Sequence, residues 1–344
     1  MKTKRIKVIV NPSARSGRAW KALRSAVGSP WPGFQLEWVE SRSADHLTQL
    51  VREAQDEDLH ALGLAGGDGT VTHALAGIVG RNRVPIGLIP VGSGNDFAFN
   101  CAVPKTISGA LQILTQGTPR NVDLAYCASG PSLDCSPDER SAGSKSEPVS
   151  VRSSRSSREQ SREGRTRRFC CVAGVGLDET ALRIIYGSWL PRSKALNIYA
   201  ALRALVTYRP PRVRMTWEGG GYEGEVMFAA VTNTTSYGGG FMVTPSARID
   251  DGALDICIVK RTGRVRLISN FPRILKGTHG ELDEVILARS NWVRIEADGP
   301  ALPVPLDGEL GMAMTPVELR CDPAGFTLLG APRLQLARAI ARVA

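Results

Sequence analysis

The densest run of chemically capable residues is Gly66-Gly67-Asp68-Gly69-Thr70, which follows an apolar stretch at 59–64 and precedes a helical pattern that begins near Val71. A glycine-rich turn between a strand and a helix lets backbone N–H groups approach a phosphate, and the helix dipole favours negative charge at that end. A carboxylate inside such a turn repels an anion, so Asp68 makes sense beside a polyphosphate as the holder of Mg²⁺, directly or through water. The same string also suits a tight left-handed turn closed by an aspartate cap. Two further polar loops favour the first reading. Asn11-Pro12-Ser13-Ala14-Arg15-Ser16-Gly17 follows the run at 6–10, and Pro90-Val91-Gly92-Ser93-Gly94-Asn95-Asp96 follows the run at 85–89. Loops at the C-terminal ends of parallel strands form the edge where open α/β sheets bind ligands.

Those loops need a scaffold of alternating strands and helices. β-branched and apolar runs at 6–10, 34–39, 59–64 and 85–89 alternate with helical patterns at 19–27, 44–54 and 71–79, which predicts a parallel sheet with helical cover. After Asn121-Val122-Asp123-Leu124 the composition changes. Ser, Arg, Gly and Pro dominate 129–168, which reads as a disordered Ser/Arg-rich insertion. Its cations outnumber Glu147, Glu159 and Glu163, suiting either a tether to anionic lipid headgroups or a solvated loop. Strand-like runs at 169–175, 213–217, 225–232, 253–259 and 292–297, with helices at 178–186 and 196–208, then predict a second domain of antiparallel character. Runs at 315–320 and 325–329, before a short helical tail, permit further strands.

The 344 residues are enough for two domains, and a 42% apolar, 22% charged composition excludes global disorder. A formal charge of +10 favours anionic partners such as nucleotides, phospholipid surfaces or nucleic acid. Seven cysteines without a Cys-x-x-Cys pair point to free thiols in a reducing cytoplasm, and the four histidines lack metal-ligand spacing. The basic start is followed by an apolar run that stops at Asn11-Pro12, unlike a signal peptide. No apolar stretch approaches the ~18–20 residues that span a bilayer, so membrane contact is expected to be peripheral. The strings of a P-loop NTPase and a protein kinase are missing, and Gly174-Val175-Gly176 lacks the third glycine of a dinucleotide fingerprint.

At its three glycine-bearing loops the chain resembles the diacylglycerol kinase catalytic-domain superfamily, which includes sphingosine and ceramide kinases and soluble bacterial lipid kinases. The likeness continues, in the family's order, through Gly174-Val175-Gly176-Leu177-Asp178-Glu179, Tyr237-Gly238-Gly239-Gly240-Phe241-Met242 with Thr244-Pro245, Asp250-Asp251-Gly252-Ala253-Leu254-Asp255 and Asp307-Gly308-Glu309. Ser93 stands where the family usually has Thr, Glu179 where it usually has Ala, and the 129–168 insertion is long for the group.

The resemblance implies an α/β N-terminal domain with a parallel sheet, NAD kinase/phosphofructokinase-like, plus a β-rich antiparallel second domain, with ATP in the cleft between them. Residues 1–121 and 317–344 would form the nucleotide-binding domain and 122–316 the lipid-substrate domain. By motif, Asn11, Ser41, Gly66, Gly67, Asp68, Gly69, Thr70, Ser93 and Asn95 would contact the nucleotide, and Asp68 and Asp96 would organise Mg²⁺ with its waters. Glu309 would be the general base toward a lipid hydroxyl, and Asp178 would meet the acceptor's polar head. Asp251, with the main-chain carbonyls of Arg248 and Ala253, would hold a second, structural Mg²⁺. Plainer readings stand beside these: Asp-Gly-Glu as a β-turn, and Asp250-Asp251-Gly252 as the turn before a strand.

The implied function is a cytoplasmic, Mg²⁺- and ATP-dependent lipid kinase that phosphorylates diacylglycerol or a similar lipid alcohol in peripheral contact with an anionic membrane. A homodimer is compatible with the sequence. Nucleic acid is not expected as a partner, because no aromatic residues interleave with the basic insertion to stack on bases. Two other readings remain open. An NAD kinase shares the Gly-Gly-Asp-Gly-Thr turn, although the downstream Asn-Glu pair of that group is not evident, and a non-enzymatic nucleotide- or nucleic-acid-binding module would use the basic insertion.

Overall fold

The computed structural model describes residues 3–28, 30–130, 166–190 and 193–330. Strand β3 (Ala61–Gly66) is built from alanine, leucine and glycine and is buried along its whole length, which places it inside a sheet covered on both faces. It pairs in parallel with β1 (Lys4–Val10) and β4 (Ile86–Pro90), and β1 pairs in parallel with β2 (Phe34–Glu40). The order β2-β1-β3-β4 brings the C-terminal ends of these strands to one edge. Between them run α1 (Ala14–Gly17), α2 (Ala19–Val27), α3 (Ala44–Ala54) and α4 (Asp68–Ala76), followed by α5 (Asp96–Asn100) and α6 (Ile107–Gln116). Local signals set these helices. Ser43 caps α3 by accepting the His46 N–H, and Leu47, Val51 and Ala54, spaced to share one helix face, are buried.

The second part is β-rich and pairs antiparallel. It contains β5 (Thr118–Ser129), β6 (Thr166–Phe169), β7 (Val172–Gly176), α7 (Leu177–Tyr186), α8 (Lys194–Thr207), β8 (Arg212–Trp217), β9 (Gly220–Thr232) and β10 (Leu254–Lys260). It continues through α9 (Arg264–Lys276), β11 (Val285–Ser290), β12 (Trp292–Ala297), β13 (Pro303–Leu306), β14 (Glu309–Met314) and β15 (Val317–Gly330). β7, β8 and β10 each pair antiparallel with β9. Strand β15 joins both parts. Its start lies antiparallel to β12, its end meets β4 in parallel at Leu328, and β5 runs beside it throughout.

Several boundaries differ from those the sequence predicts. The run at 169–175 is two strands, interrupted at Cys170 and Cys171 because their N–H groups turn to the Asp307 carboxylate. The runs at 315–320 and 325–329 are one strand with an irregularity between Asp322 and Phe326. Helices α1, α5, α6 and α9 and strands β5, β11, β13 and β14 are additional to the predicted elements. Reading 129–168 as wholly unstructured is corrected at its ends, since Ser129 belongs to β5 and Thr166–Phe169 pairs with it as β6. Arg168 is held by side-chain chemistry that a composition count cannot register: it donates to the carbonyls of Ile78 and Gly80 and lies over the Tyr126 ring. Residues 131–165 of the insertion and the predicted helical tail lie outside the described residues.

Candidate active site

The loops after β3 and β4 are pressed together through two glycines. A Cβ on Gly92 would fall 2.4 Å from the Gly67 Cα, so only glycine permits this approach. The Gly92 turn is braced by Asn95, whose side chain accepts from the Gly92 N–H and donates to the Gly92 carbonyl, both at 2.9 Å. Asn95 itself sits at φ 61°, a left-handed conformation that asparagine tolerates. The loop after β1 joins them through Asn11, whose Nδ2 donates to Thr70 Oγ1 at 2.9 Å.

This packing brings two carboxylates together. Asp68 opens α4, and its two oxygens accept the N–H groups of Phe97 (2.9 Å) and Asp96 (3.1 Å). Asp96 opens α5 and accepts the Gly239 N–H at 2.7 Å and the Ser236 hydroxyl at 3.3 Å. Both flank Gly94, where a Cβ would lie 2.9 Å from Asp68 Oδ2 and 3.3 Å from Asp96 Oδ2. Burial, with Asp96 adding repulsion, pushes the Asp68 carboxyl up to about 6. Burial also raises Asp96, against the N–H of Gly239 and the field of Lys194. Two buried acids with raised proton affinity have an excess of negative charge that a cation relieves, and oxygen donors already bonded to N–H groups suit a hard ion held through water. The pair therefore fits Mg²⁺.

Opposite them stands the turn between β13 and β14. Asp307 accepts N–H groups from Cys170 (2.9 Å), Cys171 (2.7 Å) and Val172 (2.9 Å), and the Thr72 hydroxyl of α4 donates to it at 2.8 Å. Glu309 then points over the Asp68 loop, its Oε1 3.1 Å from where a Cβ on Gly69 would stand, while the Tyr186 hydroxyl donates to Oε2 at 2.8 Å. Sequence reasoning gave no role to Asp307 or Tyr186. Asp307 shares its motif with the glutamate, and Tyr186 ends α7 eight residues after Asp178, with no signal of its own in the sequence.

These groups line one cavity of about 880 Å³. Asn11, Gly67, Asp68, Gly69, Thr70, Ser93, Asp96, Asp178 and Glu309 are brought together on its wall. Asp178, in the first turn of α7, lies against Gly174, where a Cβ would stand 2.3 Å from its Oδ2. Its carboxyl is pushed up to about 6 by burial, opposed by a hydrogen bond from Tyr237. Lys194 is the one lysine or arginine on the wall among the described residues. The rest is largely apolar, with Leu177, Leu205, Met227, Phe241, Leu267 and Phe271 facing inward.

Other expected residues lie elsewhere or are occupied. Ser41, Gly66 and Asn95 are not on the wall. Ser41 is buried and donates to the Val10 carbonyl, and Asn95 spends its amide on Gly92. Asp251 is away from the cavity, ion-paired with Arg289 and accepting the Ala253 N–H, while Arg248 pairs with Asp250. Both Asp251 oxygens are thus engaged in this structure, Oδ2 by the Arg289 guanidinium and Oδ1 by the Ala253 N–H at 3.3 Å. Cys170, Cys171 and Asp307 also cluster, but burial raises the Cys170 thiol, the hydrogen bond with Cys170 and then burial raise the Cys171 thiol, and the two Asp307 oxygens between them take three N–H groups and the Thr72 hydroxyl, so they form an anchor.

A protein with an α/β half built on parallel strands, a β-rich antiparallel half, and a largely apolar cleft that carries a few carboxylates is the class that this geometry defines. The diacylglycerol kinase catalytic domain model matches residues 5–127, and the YegS C-terminal NAD kinase beta sandwich-like domain model matches residues 171–330. The chain belongs to the diacylglycerol kinase catalytic-domain superfamily. It is 28% identical over 328 residues to a diacylglycerol kinase of Mycobacterium tuberculosis, covering 94% of each chain. It is 24% identical over 312 residues to a diacylglycerol kinase of Bacillus subtilis, covering 90% of each. The crystal structure of a diacylglycerol kinase from Bacillus anthracis shares the fold, with a TM-score of 0.64 at 20% identity over 96% of this chain and 98% of that one.

Proposed function

We propose that this kinase transfers the γ-phosphoryl group of ATP to the hydroxyl of diacylglycerol or a closely similar lipid alcohol, with Mg²⁺ as cofactor. The observation that carries the reading is one cavity that joins the Asp68 and Asp96 loops and Glu309 to an apolar wall. A polyphosphate suits the glycine loops, and acyl chains suit the apolar wall better than a second nucleotide would, which favours a lipid over NAD as acceptor. In this reading residues 1–121 and 317–344 bind the nucleotide and 122–316 bind the lipid.

Asn11, Gly67, Gly69, Thr70 and Ser93 face the nucleotide, while Asn95 and Ser41 support their loops from behind. Asp68 and Asp96 hold Mg²⁺, which when bound neutralises charge on the transferring group. Glu309 accepts the proton of the acceptor hydroxyl as its oxygen bonds to the γ-phosphorus and the bond to ADP breaks. Asp178 and Tyr237 receive the polar head of the acceptor.

Peripheral contact with an anionic membrane belongs to the same reading. Residues 193–209 and 261–278, which carry α8 and α9, include Lys194, Arg203, Arg264 and Lys276 without one Asp or Glu. Nearby apolar side chains face water, with Trp189 91% and Val265 83% exposed. Among the described residues no helix is long and apolar enough to cross a membrane.

The test is transfer of label from γ-labelled ATP, with Mg²⁺, to diacylglycerol, ceramide, a sphingoid base, phosphatidylglycerol and NAD in parallel. Diacylglycerol is the expected acceptor. Label on none of the lipids, or on the NAD ribose alone, overturns the reading.

A further inference from the structure

The turn that carries Glu309 is fixed by Asp307, but the glutamate side chain beyond it has three rotatable bonds and reaches into an open cavity. Among the described residues, Tyr186 is the side chain that donates a hydrogen bond to it, 2.8 Å from Oε2. The same hydroxyl lies 3.2 Å from the Gly308 carbonyl. A phenol has one proton, and the nearer, charged acceptor takes it. With Oε2 held, the other oxygen faces the Asp68 loop at Gly69. The Tyr186 residue is 40% exposed, so core packing does not account for its place.

We propose that Tyr186 is a positioning residue for the base: its hydroxyl selects the Glu309 rotamer in which one carboxylate oxygen faces the reacting centre. This rests on Glu309 being the base. The same helix links the two sides of the reaction. Asp178 lies in the first turn of α7 and Tyr186 ends it, roughly 12 Å apart at 1.5 Å per residue, and Ala181, Leu182 and Ile185 between them face the cavity. The acceptor's polar head and the base are thus referenced to one rigid element, so a change in how α7 sits would be felt at both. Holding a base by a single donor has large kinetic consequences, since misplacement by about 1 Å can cost on the order of 10²-fold in rate.

The experiment is a double-mutant cycle on the full chain, with diacylglycerol in mixed micelles, saturating Mg²⁺-ATP, and nucleotide affinity measured separately. Tyr186→Phe is expected to lower kcat by about 10- to 100-fold and to leave the KM and Kd for ATP within about twofold. On a Glu309→Gln background, where no base remains to be aligned, the same change is expected to cost less than about twofold. A merely structural role for Tyr186 would cost the same factor in both backgrounds, and that result overturns the proposal. Near-normal kcat in Tyr186→Phe with a disabled Glu309→Gln overturns it while leaving the base in place. Near-normal turnover in Glu309→Gln overturns the base, and the positioning role with it. Unchanged thermal midpoints of the purified variants confirm that the comparison is between folded proteins.

Discussion

Thr72 and Asp307, 235 positions apart, meet through a 2.8 Å hydrogen bond across the cleft. Thr72 lies one helical turn after Asp68 on α4, and Asp307 lies two residues before Glu309, so this contact sets the spacing between the acids that suit Mg²⁺ and the glutamate opposite them. It is reinforced where Asp307 gathers the N–H groups of Cys170, Cys171 and Val172.

Removing that anchor should be costly. Asp307→Ala leaves three N–H groups without their acceptor, and at about 1–3 kcal/mol for an unsatisfied buried donor the expected loss is at least about 3 kcal/mol, read from urea unfolding. Thr72→Val removes one neutral donor and is expected to cost about 1 kcal/mol. Its turnover should fall more than its nucleotide affinity, because the turn carrying Glu309 loosens while the glycine loops remain.

The apposition of Gly67 and Gly92 predicts a second outcome. Gly92→Ala places a methyl group 2.4 Å from the Gly67 Cα and 2.8 Å from Asn95 Oδ1, so the two loops must part. ATP affinity is expected to fall at least about tenfold, equivalent to about 1.4 kcal/mol, measured by calorimetric titration.

Asp178 predicts a pH dependence of stability in the ligand-free protein. Its folded carboxyl is raised by burial to about 6, above the ordinary value of 3.8. Below pH 3.8 both folded and unfolded forms are protonated. Between there and about pH 6 only the folded form keeps the proton, so stability falls as pH rises and the loss is complete above about 6. Asp178→Asn should therefore gain stability relative to the native chain between pH 4 and pH 7, by no more than about 3 kcal/mol. Urea unfolding at both pH values measures it, and a gain that shrinks with rising pH would contradict the assignment.

The sequence exposes some of this architecture more readily than the rest. Strand β3 and the Asp68 turn are legible because a buried parallel strand must be apolar throughout and a tight approach requires glycine. The residues that give the site its geometry are not. Tyr186, Thr72 and Asp307 act through pairings across more than a hundred positions, and nothing in the neighbours of Tyr186 marks its hydroxyl as the partner of Glu309. Ser41 and Asn95 show the converse. Their residue types suit a ligand, but the neighbouring Gly92 takes up the Asn95 amide and the Val10 carbonyl, 31 positions away, takes up the Ser41 hydroxyl. Arg289 does the same at Asp251, where a turn that looks open in sequence is closed by a guanidinium from β11.

Glu309, which faces the Asp68 loop, is the base in the proposed phosphoryl transfer to a lipid hydroxyl. Single-turnover transfer of label to diacylglycerol at saturating Mg²⁺-ATP, in the native chain and in Glu309→Ala, tests it most directly when nucleotide binding is measured on the same samples. The expected result is unchanged ATP binding and a rate of transfer reduced about 10²- to 10⁴-fold. Near-normal transfer in the folded variant would contradict the account.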